Sequence, residues 1–194
     1  MINHKYDFLI IISVRRANPN GDPLNGNRPR EDNFGFGEIS DVCLKRKIRN
    51  RLIDMGESIF VQSDEKRTDE FTSLSERASA TLKGLEKDKE EYAKAACKQW
   101  LDVRAFGQVF AFKKNKDVQE VSVGVRGPVS IHPAFSVDPI EIEDLQITKS
   151  VNSEPSDGKK SSDTMGMKHR VNFGLYISKG SINCQLSEKT GLND

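Results

Sequence analysis

Residues 7–14 constrain the fold most, because Asp-Phe-Leu-Ile-Ile-Ile-Ser-Val is nearly all apolar and rich in β-branched isoleucine. Such a run predicts a strand that is buried on both faces, in the middle of a sheet. Residues 15–38 follow and contain Asn-Pro, Asn-Gly, Asp-Pro and Arg-Pro pairs. These pairs predict a long structured loop, and loops of this length in a compact domain tend to be functional or disordered.

A helix with a basic flank is predicted next. It begins after Ser40, a good N-cap residue, and ends at Gly56. Lys45, Arg46 and Arg49 cluster on one flank of its apolar stripe. Four residues at a period of 3.6 form that stripe and are expected to face the core: Leu44, Ile48, Leu52 and Met55.

The middle of the chain changes in composition. Residues 57–99 are polar and helical in character with few large apolar groups, which predicts an inserted helical subdomain with little core of its own. Tyr92, Ala96, Trp100 and Val103 recur at helical spacing. The favoured interpretation of this pattern is a packing stripe.

Strand patterns return in the second half. Residues 106–112 and 121–125 have strand character, and 130–147 is extended and interrupted by proline. Residues 171–177 alternate again, and the polar segment 152–168 before them resembles the tip of a long hairpin.

The element order β, α, helical insertion, β, β, arm, β predicts an α+β, ferredoxin-like (RRM-like) domain. Such a βαββαβ domain next needs a second helix and a closing strand. The chain ends at Asp194, where Thr190, Asn193 or Asp194 is a candidate N-cap. The sequence therefore predicts that the closing helix and strand are missing.

Basic charge is concentrated near one end of the chain, although the net charge is only +1. Residues 15–51 hold nine Lys/Arg against five Asp/Glu, a balance of +4, and the rest holds 21 against 24, a balance of −3. A local basic patch matters more for phosphate binding than the overall isoelectric point. A solvated helix face is the alternative interpretation.

The chain carries no sign of secretion or of a membrane anchor. Cys43, Cys97 and Cys184 are far apart and form no CxxC pair, which predicts reduced thiols rather than a disulfide framework. The N-terminus lacks a signal-peptide layout, and the longest apolar run, residues 8–12, is too short to span a membrane. A cytoplasmic protein without a membrane partner is expected.

Metal-binding and catalytic motifs are weak. His4, His132 and His169 have no ligand-spaced partners, so neither a metal nor a cofactor is expected. The Asn/Asp-rich segment 18–33 lacks the ligand order of an EF-hand loop, and turn formation explains it better. Acid–base cleavage of RNA by His169, or by carboxylates such as Asp22 and Asp32, stays open as an alternative.

Nucleic-acid binding draws on several features together. Arg15, Arg16, Arg28 and Arg30 bracket a loop with many free backbone N–H groups, and the basic helix follows. Lys and Arg neutralise phosphates, and backbone amides fix the register. Because no aromatic RNP signature lies on a strand, recognition of backbone and shape is predicted rather than base stacking.

Several motifs resemble one known family. Asn18-Pro-Asn-Gly-Asp-Pro and Asp41-Val-Cys-Leu-Lys-Arg-Lys-Ile-Arg-Asn50 are similar to the backbone subunit of the CRISPR Cascade complex. The best match is the type I-C version of the Cas-seven family. The resemblance covers essentially the whole chain and continues through these segments: Asn25-Gly-Asn-Arg-Pro-Arg30, Asp102-Val-Arg-Ala-Phe-Gly-Gln108, Val125-Arg-Gly-Pro-Val-Ser-Ile-His132, Ile147-Thr-Lys-Ser-Val-Asn152 and Thr164-Met-Gly-Met-Lys-His169.

The resemblance implies a non-catalytic scaffold in antiviral defence. Such subunits polymerise along a CRISPR guide RNA, a palm and helical fingers hold the guide, and a thumb hairpin folds over it and displaces one nucleotide at intervals. The implied partners are the guide RNA, further copies of the chain, other Cascade subunits and, through the guide, target DNA.

The resemblance also implies how the chain is divided and which residues bind RNA. The expected divisions are 1–56, the first part of the palm with its guide-binding loop and helix; 57–101, the fingers; 102–147, palm strands and a connecting arm; 148–170, the thumb; and 171–194, a returning palm strand and a truncated end. Met165 and Met167 could wedge against a base. The full expected RNA-binding set is Arg15, Arg16, Asn18, Asn20, Arg28, Arg30, Lys45, Arg46, Arg49, Met165, Met167, Lys168 and His169.

Two alternatives remain beside the scaffold. A metal-dependent endoribonuclease of the related type III kind would use Asp22, Asp32 or Asp41. A truncated, non-binding remnant would expose apolar sheet surface and aggregate.

Overall fold

The computed structural model describes residues 2–113, 119–148 and 165–194. The first half of the chain contains β1 (Tyr6–Ala17), β2 (Gly21–Asp22), β3 (Arg28–Pro29), β4 (Phe36–Ile39), α1 (Asp41–Asp54), α2 (Leu74–Thr81), α3 (Lys89–Gln99) and α4 (Leu101–Phe106). The second half contains β5 (Gly107–Phe112), β6 (Val121–Arg126), β7 (Val129–Ile131), β8 (Ala134–Pro139), β9 (Ile142–Thr148), β10 (Met165–Ile182) and α5 (Cys184–Thr190). The predicted α+β class is confirmed. No helix in these ranges is long and apolar enough to cross a membrane.

The chain divides into two compact units. Unit 1 comprises residues 1–8, 44–131 and 179–194, and unit 2 comprises residues 9–43 and 132–178.

The sheet of unit 2 is built on β10. The strand order is β1-β10-β8-β4, and β9 also pairs with β10. The β9–β10 ladder is antiparallel and regular from Met165 opposite Thr148 to Val171 opposite Ile142. Further along β10, Tyr176 lies opposite Ser136 of β8.

Strand β1 is not buried on both faces, so that prediction is wrong. It lies at the end of the strand order, and the side chains of Leu9 and Ile11 are 61% and 65% exposed. Exposed and partly buried side chains alternate along much of the strand, and Val14 is its one buried residue. A continuous apolar run does not by itself distinguish one covered face from two, because both faces carry the same residue types.

The core of unit 1 is an aromatic cluster. Phe60 lies 4.6 Å from Trp100 and 5.1 Å from Phe110 between ring centroids, and Tyr92 meets Phe110 edge to face at 5.3 Å. Leu82 and the antiparallel β5–β6 hairpin complete the same cluster. Tilted and edge-to-face rings at these distances are the preferred aromatic geometries.

The expectation that residues 57–99 contribute little core is therefore wrong. Phe60, Leu82 and Tyr92 are each at most 3% exposed. These large residues are few and are separated by charged residues, so the average composition hid them. The helical packing stripe was predicted correctly, because Ala96, Trp100 and Val103 are also buried.

Helix α1 follows the predicted bounds closely. The Oγ atom of Ser40 accepts a hydrogen bond from the backbone N–H of Cys43, as an N-cap does. Gly56, with φ +88°, follows the last turn. The predicted stripe is only partly correct, because Leu44 is buried whereas Met55 lies beyond the helix and is 64% exposed.

The C-terminal segment differs from the prediction. Strand β10 continues to Ile182, and helix α5 follows, its first turn capped by the Asn183 side chain, which accepts from the N–H of Leu186 at 2.9 Å. The chain therefore does form a helix after the returning strand. Thr190 closes that helix rather than opening another, and Gly191 ends it at φ +76°.

We expect the aromatic cluster to dominate the stability of unit 1. Phe110→Ala removes a fully buried ring and should lower the free energy of unfolding by about 3–5 kcal/mol. The single tryptophan, Trp100, stacks in the same cluster, so its fluorescence during urea unfolding reports the change. Val109→Ala is the matched control, since Val109 precedes Phe110 on β5 but is 69% exposed. Equal losses for both variants would contradict this account of the core.

Candidate nucleic-acid interface

The loop after β1 is held in shape by its own asparagines. The Asn18 amide nitrogen donates to the carbonyl of Asn27 at 2.7 Å. The Asn20 side-chain oxygen accepts from the backbone N–H of Ser40 at 2.9 Å and from the Ser40 hydroxyl at 2.8 Å. These bonds tie the loop to itself and to the start of α1, so both amides shape the loop in this structure.

A tight turn closes this loop. Gly26 and Asn27 adopt left-handed backbone angles, with φ of +58° and +59°, which glycine and asparagine tolerate best. The carboxylate of Asp22 accepts from the N–H of Leu24 at 3.1 Å. A side chain at position 21 would overlap that of Asn27, so glycine is required where β2 and β3 meet.

Arg28, Asp144 and His169 form a polar cluster in unit 2. A single carboxylate oxygen of Asp144 accepts from the Arg28 guanidinium at 2.5 Å and lies 2.7 Å from His169 Nδ1. A guanidinium nitrogen of Arg28 lies 3.4 Å from Nδ1 of His169. The cluster joins β3 to the β9–β10 ladder, in which His169 lies opposite Asp144.

The cluster shifts the titration of its carboxylate. The hydrogen bond with His169, helped by Arg28, lowers the pKa of Asp144 below its ordinary value. Arg28 and His169 therefore both have a partner within the protein, the Asp144 carboxylate, although 29% of the Arg28 side chain stays exposed.

Other expected cations of unit 2 are exposed. In the described part of this unit, no ion-pair partner is found for Arg15, Arg16 or Lys168, and all three are exposed. Arg16 also has a positive φ of +48° at the end of β1. Arg30, in contrast, has a guanidinium nitrogen 3.5 Å from the Asp22 carboxylate.

The β9–β10 ladder carries the remaining expected residues. Met167 lies opposite Gln146 and is 54% exposed. The side chain of Met165 and most of the expected thumb, residues 149–164, lie outside the described residues.

In unit 1, Arg49 is occupied by a buried partner. Its Nε donates to the Asp102 carboxylate at 2.9 Å, and its guanidinium lies 5.3 Å from the centre of the Phe106 ring. Asp102 is fully buried and also accepts from the N–H groups of Phe60 at 2.7 Å and Val61 at 3.1 Å. Arg49 thus neutralises a buried charge that positions the segment leading into the aromatic cluster.

Arg46 shares this structural role in part. Its guanidinium donates to the carbonyl of Val61 at 2.9 Å. Burial, followed by the nearby charge of Arg49, lowers the pKa of Arg46, but an arginine stays protonated at neutral pH. Lys45, on the same helix, is partly exposed. The expected phosphate-binding set on α1 therefore includes two arginines that also hold unit 1 together.

Of the three carboxylates proposed for a nuclease, Asp22 and Asp32 serve as turn residues and Asp41 begins helix α1. Asp32 accepts from the N–H groups of Phe34 at 2.8 Å and Phe36 at 2.9 Å, and Asp22 caps a short turn. Within the described residues, no group of three or more His, Cys, Asp or Glu side chains is arranged to hold a metal ion.

Sequence reasoning missed Asp102 and Asp144 as site residues. Asp102 lies in a segment that resembles the family. No sequence pattern identified it as the buried partner of Arg49, which lies 53 positions earlier in the chain. Asp144 lies in an ordinary alternating stretch, and only the strand register places it beside His169.

Removing the Asp102 carboxylate should destabilise unit 1. Asp102→Ala leaves Arg49 and two backbone N–H groups without their acceptor, and breaking such a buried pair costs about 3–5 kcal/mol. Trp100 fluorescence during urea unfolding measures the change. Asp54→Ala is the control, because its exposed bond to Lys66 should contribute at most about 1 kcal/mol. A loss for Asp102→Ala no larger than for the control would show that the buried network is dispensable.

The Asp144 pKa should depend on His169. In the native protein the lowered pKa contributes stability above the ordinary aspartate value, and this contribution is lost as the pH falls through the folded value. His169→Ala removes the main cause, so the Asp144 pKa measured by carbon-13 NMR should rise. His132→Ala, an exposed histidine in the same unit, should leave it unchanged. An unshifted Asp144 pKa in His169→Ala would contradict the cluster.

The sequence matches one protein family along nearly its whole length. A family model described as CRISPR-associated protein Cas7 matches residues 4–194. A curated relative, CRISPR-associated protein Cas7 of Haloferax volcanii, is 28% identical over 204 residues, 98% of this chain and 60% of its own length. The chain thus spans about three fifths of that relative.

One solved structure supports the same fold. A chain described as "CRISPR RNA-guided surveillance complex, pre-nicking" matches with a TM-score of 0.53 and 19% identity, over 97% of this chain and 64% of that chain. Another, described as "CRISPR RNA-guided surveillance complex", has a TM-score of 0.49 and 18% identity, over 97% and 54%. Since the family model matches nearly all of the sequence, the chain belongs to the CRISPR-associated Cas7 family.

Proposed function

We propose that this chain is a non-catalytic, RNA-binding backbone subunit of a Cascade-type CRISPR surveillance complex, working in the cytoplasm in antiviral defence. The observation that carries the proposal is the Cas7 family match along residues 4–194. The proposed partners are a guide RNA, further copies of the chain, other subunits of the complex and, through the guide, target DNA. The structural neighbour described as an RNA-guided surveillance complex supports this set.

The proposed contact in unit 2 is electrostatic. Arg15, Arg16 and Lys168 are exposed and have no ion-pair partner in the described part of that unit. Exposed cations of this kind neutralise phosphates without regard to sequence. The shaped loop and the Arg28–Asp144–His169 cluster supply a rigid support, which lowers the entropy lost when a backbone binds.

The proposed contact in unit 1 is formed by the three cations of α1, which are Lys45, Arg46 and Arg49. Arg46 and Arg49 stay in the proposed set, but each is already hydrogen-bonded within unit 1. An RNA phosphate there would have to share a guanidinium that also holds Val61 or Asp102.

The division of the chain into palm, fingers and thumb is also proposed from the family match. We assign residues 1–56, 102–147 and 171–194 to a modified RRM-like palm, residues 57–101 to the fingers and 148–170 to the thumb of a type I-C subunit. The aromatic cluster supports treating the helical segment as a folded element, since it includes Phe60, Tyr92 and Trp100. Met167, exposed on β10, is the proposed wedge residue whose side chain is described.

RNA binding should be steep in salt and should depend on the exposed cations. For a repeat-derived guide RNA, Arg16→Ala and Lys168→Ala should each weaken binding to every sequence alike and reduce the slope of log affinity against log salt by about one. Fluorescence anisotropy over a salt series measures both quantities. Lys83→Ala, an exposed lysine outside the proposed set, should change neither. Unaltered binding in both test variants would overturn the proposed phosphate track.

The same samples test the absence of catalysis. After incubation with magnesium, the guide RNA should run at full length on a denaturing gel. Magnesium-dependent shortening by the purified chain, lost in Asp41→Ala, would contradict the scaffold role and favour the endoribonuclease alternative.

A further inference from the structure

A groove in unit 1 is lined by none of the residues of the proposed RNA-binding set. It is formed by α3, β6 and α5 and has a volume of about 540 Å³. That volume falls within the range of about 300–1,000 Å³ typical of small-molecule sites. Six lining residues matter for its chemistry: Lys94, Cys97, Gly124, Arg126, Lys189 and Thr190.

The lining of this groove is basic. Lys94, Arg126 and Lys189 bring three positive charges and Glu90 brings one negative charge, which leaves a balance of +2. Among the described residues, the Arg126 and Lys189 side chains have no hydrogen-bond or ion-pair partner. Lys94 lies 3.2 Å from Glu91 in an exposed pair, and such pairs are weak enough to exchange partners.

A buried polar atom also lacks a partner here. Thr190 lines the groove, is 7% exposed, and its hydroxyl oxygen is buried without a hydrogen-bond partner. Buried hydroxyls are usually satisfied, because leaving one unpaired is costly. Because this oxygen is shielded in the structure, a ligand could supply the missing bond only after a local movement of the groove wall.

The other lining residues leave room for the organic part of a ligand. Ala93, Val125 and Leu186 give an apolar lining. A side chain at Gly124 would meet no atom within 4 Å. The space in front of β6 is therefore open, and the groove combines an apolar wall with a cationic rim.

We propose that this groove binds an organic phosphate monoester, such as a nucleoside monophosphate. A monoester carries about −1.5 to −2 charges at neutral pH, which matches the balance of +2. A phosphodiester or a carboxylate brings a single negative charge and leaves part of the rim uncompensated. The same chemistry occurs in a free nucleotide and in the terminal phosphate of an oligonucleotide.

The test is a titration of the full chain with AMP, followed by isothermal calorimetry. Arg126→Ala and Lys189→Ala should each weaken AMP binding by about tenfold, the loss of one charge-assisted contact. Gly124→Val should abolish it, because the new side chain fills the open space at a position where a strand favours β-branching. Lys98→Ala is the control, since Lys98 is exposed on α3 but does not line the groove, and it should bind AMP as the parent does.

Displacement experiments with RNA oligomers distinguish a free nucleotide from the end of a nucleic acid. Displacement of AMP by a 5′-phosphorylated RNA oligomer, but not by the unphosphorylated one, supports a nucleic-acid end as the ligand. Failure of both oligomers to displace AMP supports a free nucleotide. Adenosine should not bind, since it lacks the phosphate.

Three results would overturn the proposal: no saturable AMP binding at millimolar concentration, equal binding of adenosine, or AMP binding unaffected by Arg126→Ala and Lys189→Ala. These outcomes are independent of the guide-RNA proposal, because Arg16→Ala and Lys168→Ala alter neither the rim nor the wall of this groove.

Discussion

The hydrogen-bonding capacity of β10 is the constraint on which the sheet depends. Successive lengths of this 18-residue strand pair with β9, β8 and β7, and β1 also pairs with it. Backbone N–H and C=O groups inside a sheet pair with the neighbouring strands. The register of β10 therefore constrains the position of each strand that pairs with it. The register of β10 against β9 places His169 beside Asp144. Arg28 of β3 contacts the same Asp144 carboxylate.

Arginines of this chain fall into two groups by their partners. Arg49 and Arg77 lie against carboxylates that are buried or half-buried, Asp102 and Asp69, and each pair also contacts the backbone of Phe60. A buried charge tolerates desolvation only with such a partner. Exposed arginines such as Arg15 and Arg16 meet no such requirement and can bind a ligand. Charge counting along the sequence cannot separate the groups, because both have the same side chain.

Two surfaces of different chemistry follow from this separation. The cations of unit 2 accompany a loop whose shape is fixed by backbone and amide hydrogen bonds, which suits a repeating polyanion. The groove of unit 1 is concave, has apolar walls and carries a balance of +2 on its lining, which suits one compact ligand. The residues named for each of these two surfaces lie within one compact unit.

The sequence by itself determined the α+β class, α1 with its Ser40 cap, the packing stripe through Trp100, and the strands of the second half, because these depend on local periodicity and capping. It misjudged β1 and the core content of residues 57–99, since burial depends on what covers a face. Only the tertiary structure decided that Arg49 pairs with Asp102, that His169 pairs with Asp144, and that Arg126 and Lys189 share a groove. These are contacts between residues distant in sequence, and strand register and helix packing, which no local pattern encodes, create them.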